Sequence, residues 1–177
     1  MRRPNLSTLV ILASSLLVIH LIGLVNSSLG SWGSYLYLPG LFFLAPTVHL
    51  ERFRATLVIV IIGFSLDLQN NTPFGFHATA LIIFHLIGTE WVQIGKQGEL
   101  IRPFILQIMA NFLISMILMI ATYSFSKDSS AWSLYRFCSD SMLSILIFIP
   151  LSRWFQLFCT DLLLLIRAIG DRGPRPA

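Results

Sequence analysis

Between Asp67 and His77 the chain reads Asp-Leu-Gln-Asn-Asn-Thr-Pro-Phe-Gly-Phe-His, a carboxylate and an imidazole joined through a helix-start signal and flanked by strongly apolar segments. Ionisable groups beside hydrocarbon-soluble sequence are expensive, and they mark partners, ligands or proton paths. Thr72-Pro73 predicts the start of a helix, with Thr as N-cap and Pro at the first helical position, where its missing N–H is not needed. The positive end of that helix then points toward Asn70, Asn71 and Asp67. Asp67 falls near the C-terminal end of the preceding helix, where a carboxylate is poorly placed against its own helix dipole. The two facts are complementary. Asp67 can fold back onto the next helix start, or onto His77, and pin the joint. One reading is a buried cap-like contact holding a helical hairpin, because buried polar groups need partners. The other makes Asp67 and His77 a ligand or proton site.

Neighbouring positions sharpen the first reading. Gly63 lies four residues before Asp67 on the same helix face and permits close approach of another helix. His85 and Glu90, five residues apart, fall on different faces of the following helix. His85 reads as an interhelical hydrogen-bonder and Glu90 as a group reaching water, and His20 and His49 get the same structural reading. Gln107, Asn111 and Ser115 recur every four residues and form one polar stripe. In lipid such a stripe must face protein, either this bundle or a second membrane protein. The sequence holds no Walker-type loop, HExxH, CxxC or paired acidic motif, so no catalytic, cofactor-binding or metal residues are assigned. Cys138 and Cys159 have no zinc or disulfide spacing and read as packing thiols.

These residues are positioned by elements too greasy for water. Hydrophobic residues are 55% of the 177 and charged residues 11%, against about 25% charged in a soluble domain. The chain therefore reads as a single all-α, polytopic membrane domain over residues 1–177, a six-helix transmembrane bundle. Candidate spans are 6–25, 35–50, 55–68, 73–94, 103–125 and 141–166, with roughly 20 apolar residues needed per crossing. The second carries Pro39 and Pro46, the third is short enough to be tilted or partly re-entrant, and the last is kinked at Pro150 or ends near Arg153 and continues along the interface. With the N-terminus inside, nine basic residues face the cytoplasm (Arg2, Arg3, Arg52, Arg54, Lys96, Arg102, Arg167, Arg172, Arg175) and two the outside (Lys127, Arg136). That bias puts both termini in the cytoplasm. The first apolar run is too long for a signal peptide and no small-x-small site follows it. Trp32, Trp132 and Trp154, with Tyr35, Tyr37 and Tyr135, read as interfacial anchors. The tail from Gly170 reads as frayed.

Taken together, Leu38-Pro39-Gly40, Arg52-Phe53-Arg54, Gly63-Phe64-Ser65-Leu66-Asp67 and Thr72-Pro73-Phe74-Gly75-Phe76-His77-Ala78 resemble the rod shape-determining MreD family of the bacterial inner membrane. The closest match is Gly63-x-x-x-Asp67 followed by Thr72-Pro73-Phe74-Gly75-x-His77-Ala78; the long run after Pro150, with Arg153 and Asp161 inside it, departs from the pattern. The resemblance implies a fold similar to the substrate-binding subunits of energy-coupling-factor transporters. It implies a non-enzymatic part of the cell-elongation machinery that organises lateral peptidoglycan synthesis. It also implies partners: an MreC-like bitopic protein, an MreB-like actin, and RodA with a class-B penicillin-binding protein. A second reading is a vitamin transporter's substrate-capturing subunit, since helix N-termini and unwound joints hold polar ligands in membranes. Against it, the first helix lacks the A-x-x-x-A contacts such subunits offer an energising partner. A membrane-embedded enzyme ranks below both.

Overall fold

The computed structural model describes residues 4–94, 101–125 and 134–170. All regular structure among them is helical: α1 (Pro4–Leu29), α2 (Leu44–His49), α3 (Arg52–Asn70), α4 (Phe76–Ile94), α5 (Ile101–Phe125) and α6 (Leu134–Gly170), with short 3-10 turns at Gly30–Trp32 and Pro39–Leu41. Four described stretches are long and apolar enough to cross a membrane: Leu6–Trp32, Arg52–Asn70, Pro103–Ala121 and Tyr135–Ile166. Arg2, Arg3, Lys96, Lys127, Trp132, Arg172 and Arg175, used above for orientation and anchoring, lie outside the described residues, as does the tail 171–177.

Helix boundaries differ from expectation in instructive ways. The third span is no short re-entrant piece: α3 has 19 residues, about 28 Å at 1.5 Å per residue. That length matches a bilayer core of about 30 Å. α6 is one continuous helix of 37 residues with Pro150 and Arg153 inside it, so it does not end near Arg153. The largest correction concerns 35–50, which is not a helix. Its backbone carries no regular structure through Leu38, makes the Pro39–Leu41 turn, and then forms only the six-residue α2. Pro39 pushes Leu38 out of helical geometry (φ −129°, ψ 42°), whereas Pro46 sits in the first turn of α2, where its missing N–H is not needed.

This irregular stretch is the centre of the molecule. Leu41, Phe42, Phe43 and Ala45 are fully buried. Phe42 meets Phe155 edge-on at 6.0 Å, and Phe43 packs with Phe84 at 6.1 Å. Non-helical backbone survives in lipid only when buried in protein with its polar groups satisfied, and here side chains from the surrounding helices satisfy them. Asn26 of α1 grips Leu36 twice, its amide donating to the carbonyl and its oxygen accepting the N–H, both at 2.8 Å. Asp140 and Ser144 of α6 accept the Tyr35 and Tyr37 N–H groups at 3.0 Å. Asn111 of α5 donates to the Tyr37 carbonyl at 3.2 Å and accepts the Gly40 N–H at 3.1 Å. Gln107 donates to the Leu41 carbonyl at 3.2 Å. A Cβ on Gly40 would sit 2.6 Å from the Gln107 carbonyl oxygen, so only glycine lets this turn lie directly on α5. The segment also runs the length of α3. The Tyr35 hydroxyl bonds Asn70 at one end (2.6 Å), and Leu50 leads through Glu51 into Arg52 at the other.

Candidate functional site

The corner between α3 and α4 begins with a close crossing. A Cβ on Gly63 would lie 2.3 Å from the Ala78 Cα, so the two backbones touch there. One turn further, Asp67 is 1% exposed. The chain stops being helical at Asn71, whose φ of 52° is left-handed and whose N–H caps the Asp67 carbonyl. Gly75 is also left-handed, at φ +94°, a conformation that favours glycine. α4 then begins at Phe76, so Thr72 is not its N-cap and Pro73 not its first residue. The cap comes from the other helix. Asp67 Oδ2 accepts the Gly75 N–H at 2.7 Å, and Oδ1 accepts the His77 N–H at 2.9 Å. A local Thr-Pro signal yields to a distant carboxylate with two oxygens to offer, placed at the positive end of α4.

The same carboxylate orders the imidazole. Asp67 Oδ1 lies 2.7 Å from His77 Nδ1 and accepts the Thr72 hydroxyl at 3.0 Å. Four donors therefore converge on Asp67, and it acts as an acceptor throughout. Because Nδ1–H donates to Asp67, the Nε2 lone pair is left for the Tyr37 hydroxyl, 2.5 Å away. His77 is fully buried, between the edge of Phe76 and the tilted ring of Tyr37. Phe74, 71% exposed, stacks on Phe64 at 4.2 Å and closes the outside of the corner. The carboxylate–imidazole–phenol chain continues through the Tyr37 backbone to Ser144 and Asn111. One connected network thus ties α3, α4, α5 and α6 to the unwound segment.

Tyr37 is the participant that the sequence reading placed elsewhere, as an interfacial anchor with Tyr35. Both tyrosines instead bond inside the bundle. Trp32 and Tyr135, each 85% exposed, keep the surface position an anchor needs, while Trp154 is half-exposed midway along α6. The alternation Tyr-Leu-Tyr-Leu before Pro-Gly was the available signal for extended backbone, since it has the strand period of two. Gln107 and Asn111, buried at 1% and 3%, spend their amides on the unwound segment, and Ser115 donates back to the Asn111 carbonyl at 2.8 Å. The stripe's contacts are therefore those of packing within this bundle. His85 is buried with Thr47 Oγ1 at 2.8 Å, His49 lies 3.4 Å from Thr160, and His20 is exposed. Glu90 pairs with Arg52 at 2.9 Å, both largely exposed, an arrangement worth at most about 1 kcal/mol.

A hydroxyl–imidazole–carboxylate chain has the connectivity hydrolases use. Here the imidazole has no exposed face, and the phenol spends its proton on it. Beside Tyr37 lies a cavity of about 10 Å³, lined in part by Gln69, Asn70 and Leu66. That is room for one water, against about 300 Å³ for a small ligand pocket. The described residues contain no cluster of three or more His, Cys, Asp or Glu able to hold a metal. No family model, curated protein or solved structure matches this chain. Its function is therefore read from the residues and their geometry.

Proposed function

We propose that this chain is a non-catalytic, multi-pass scaffold of the bacterial cytoplasmic membrane, of the MreD type, serving the machinery that builds lateral peptidoglycan. Its partners in this reading are an MreC-like bitopic protein, an MreB-like actin, and RodA with a class-B penicillin-binding protein. The chain passes the bilayer six times with both termini inside, the second pass being the unwound segment buried within the bundle. The observation that carries the reading is the four-donor closure of Asp67 over Thr72, Gly75 and His77. It turns the residues that resemble the family into one rigid outer corner, a surface suited to holding a partner. A capture subunit needs a vitamin-sized cavity, and the cavity beside Tyr37, between α1, α3 and the unwound segment, is water-sized.

The test is complementation in a rod-shaped host depleted of its own scaffold. A stably expressed Asp67→Ala, His77→Ala double variant is expected to leave cells rounded and to lose partner co-purification. Normal rods with intact co-purification would remove the corner from the function. A saturable thermal shift with any vitamin would favour capture over scaffolding.

A further inference from the structure

Arg153 lies deep along α6, exposed, with no acidic partner among the described residues. Its depth follows from two contacts that level α6 against the two ends of α3. Asp140 bonds Tyr35, whose hydroxyl reaches Asn70 at one end of α3. Thr160 meets His49, next to the Arg52 end. At 1.5 Å per residue, Arg153 is about 20 Å from the first level and about 10 Å from the second. An arginine so far inside hydrocarbon is costly and marks a functional contact.

Three ordinary escapes are closed. Positions 149, 150, 156 and 157 are Ile, Pro, Gln and Leu, so no carboxylate stands one turn away on α6. Asp161 is exposed but eight residues on, about 12 Å along the axis. Snorkelling to the nearer interface also works against geometry, because helical side chains leave tilted toward the helix N-terminus. On α6 that direction is toward Asp140, away from the nearer end. Gln156, one turn from Arg153, adds a buried side-chain N–H group without an acceptor. Acceptors are what this stretch lacks.

The surface around Arg153 has the periodicity of a helix seam. Met142, Leu146, Ile149, Arg153 and Leu157 recur at steps of four and three, with Met142 75%, Leu146 71% and Leu157 57% exposed. Two copies inserted in the same sense about a two-fold axis would set Arg153 against Arg153, which like charges oppose. We propose that this face of α6 docks a membrane-spanning helix of a different protein, which presents an Asp or Glu to Arg153 about 10 Å inside the bilayer core on the Arg52 side. Arginine's planar fork suits a bidentate pairing with such a carboxylate. This proposal rests on the scaffold reading and gives it a contact face separate from the Asp67 corner.

The test is photo-crosslinking in living cells, using the full chain with a benzophenone side chain at Leu157, Ile117 of α5 or Leu17 of α1, all about half exposed. The expected result is a protein adduct at Leu157 whose linked peptide, by mass spectrometry, carries Asp or Glu within a turn of the link. Arg153→Leu should cut the adduct by about tenfold or more, Arg153→Lys, which keeps the charge but not the fork, should keep only part of it, and Arg153→Asp should recover it when the partner's carboxylate is changed to Arg. Purified Arg153→Leu should melt no lower than wild type, which separates lost docking from lost folding. The proposal is overturned by lipid adducts only, by adducts to a second copy, by a partner helix lacking a carboxylate, or by an adduct indifferent to Arg153→Leu. Protein adducts from Ile117 or Leu17 with Leu157 silent would overturn this face and spare the scaffold. Silence at all three positions would count against the scaffold as well.

Discussion

Replacing Asp67 by Ala and by Asn weighs the corner directly. Alanine removes both oxygens and strands the Gly75 N–H, the His77 N–H and the His77 Nδ1–H. A buried donor left without an acceptor costs about 1–3 kcal/mol. Gly75 is half-buried, so water can serve it, but His77 is fully buried, and only the Thr72 hydroxyl, 3.2 Å from Nδ1, is left to accept from its ring. Losing two hydrogen bonds to a charged group at His77, less what Thr72 returns, gives about 3–4 kcal/mol for Asp67→Ala. Asparagine keeps one acceptor oxygen and turns its amide N–H2 toward a donor, giving about 1–2 kcal/mol. At roughly 2–4 °C per kcal/mol for a chain of this size, the alanine variant should unfold about 6–16 °C below wild type and the asparagine variant about 2–8 °C below. Thermal unfolding in detergent, followed by tryptophan fluorescence, reads both. An alanine variant melting within about 1 °C of wild type would refute the donor count. Equal losses for Asn and Ala would refute the claim that the number of acceptor oxygens governs the effect.

Further expectations test the network and the packing beneath it. Gly63→Leu should destabilise by about 1–3 kcal/mol or more, because its Cβ falls against the Ala78 backbone, which cannot swing aside; equal stability by the same assay would place the crossing elsewhere. Asn111→Leu strands the Tyr37 carbonyl and the Gly40 N–H together and should cost about 2–4 kcal/mol. In hydrogen exchange the Leu36, Tyr37 and Gly40 amides should be as protected as those of α5, although they are not helical; loop-like exchange would contradict their side-chain hydrogen bonds. Nitrogen-15 spectra should show His77 protonated on Nδ1 with Nε2 accepting, and an Nε2–H tautomer would break the Tyr37–His77–Asp67 order.

The sequence exposed the corner's polarity well and its backbone poorly. A carboxylate at the wrong end of one helix and a histidine at the right end of the next is a local conflict that contact between them resolves, so the proximity of Asp67 and His77 was legible. Gly63 was legible because a small residue one turn before a buried acid implies a close neighbour. The start of α4 was not, because Thr72-Pro73 is a sound local cap and only a residue outside the motif's own turn outbids it. The unwound stretch was hidden by its composition. Leu, Phe and Ala at 41–45 are as apolar as any span, and hydropathy reports solubility in lipid, not backbone geometry. What makes the non-helical backbone at Leu36 and Tyr37 tolerable lies 10 residues away in Asn26 and 107 away in Ser144. Pro39, Gly40 and Pro46 were the local warning. The last helix was expected over 141–166, and α6 extends it at both ends, to Leu134 and Gly170, with Pro150 inside.

Cysteine accessibility at Asn71 tests most directly whether the Asp67–His77 corner is the outward surface of a membrane scaffold. With Cys138, the exposed native thiol, changed to Ser, Asn71→Cys in intact cells should react with a membrane-impermeant maleimide. Reaction only after the membrane is opened would put the corner on the cytoplasmic side and contradict both the topology and the role proposed for it.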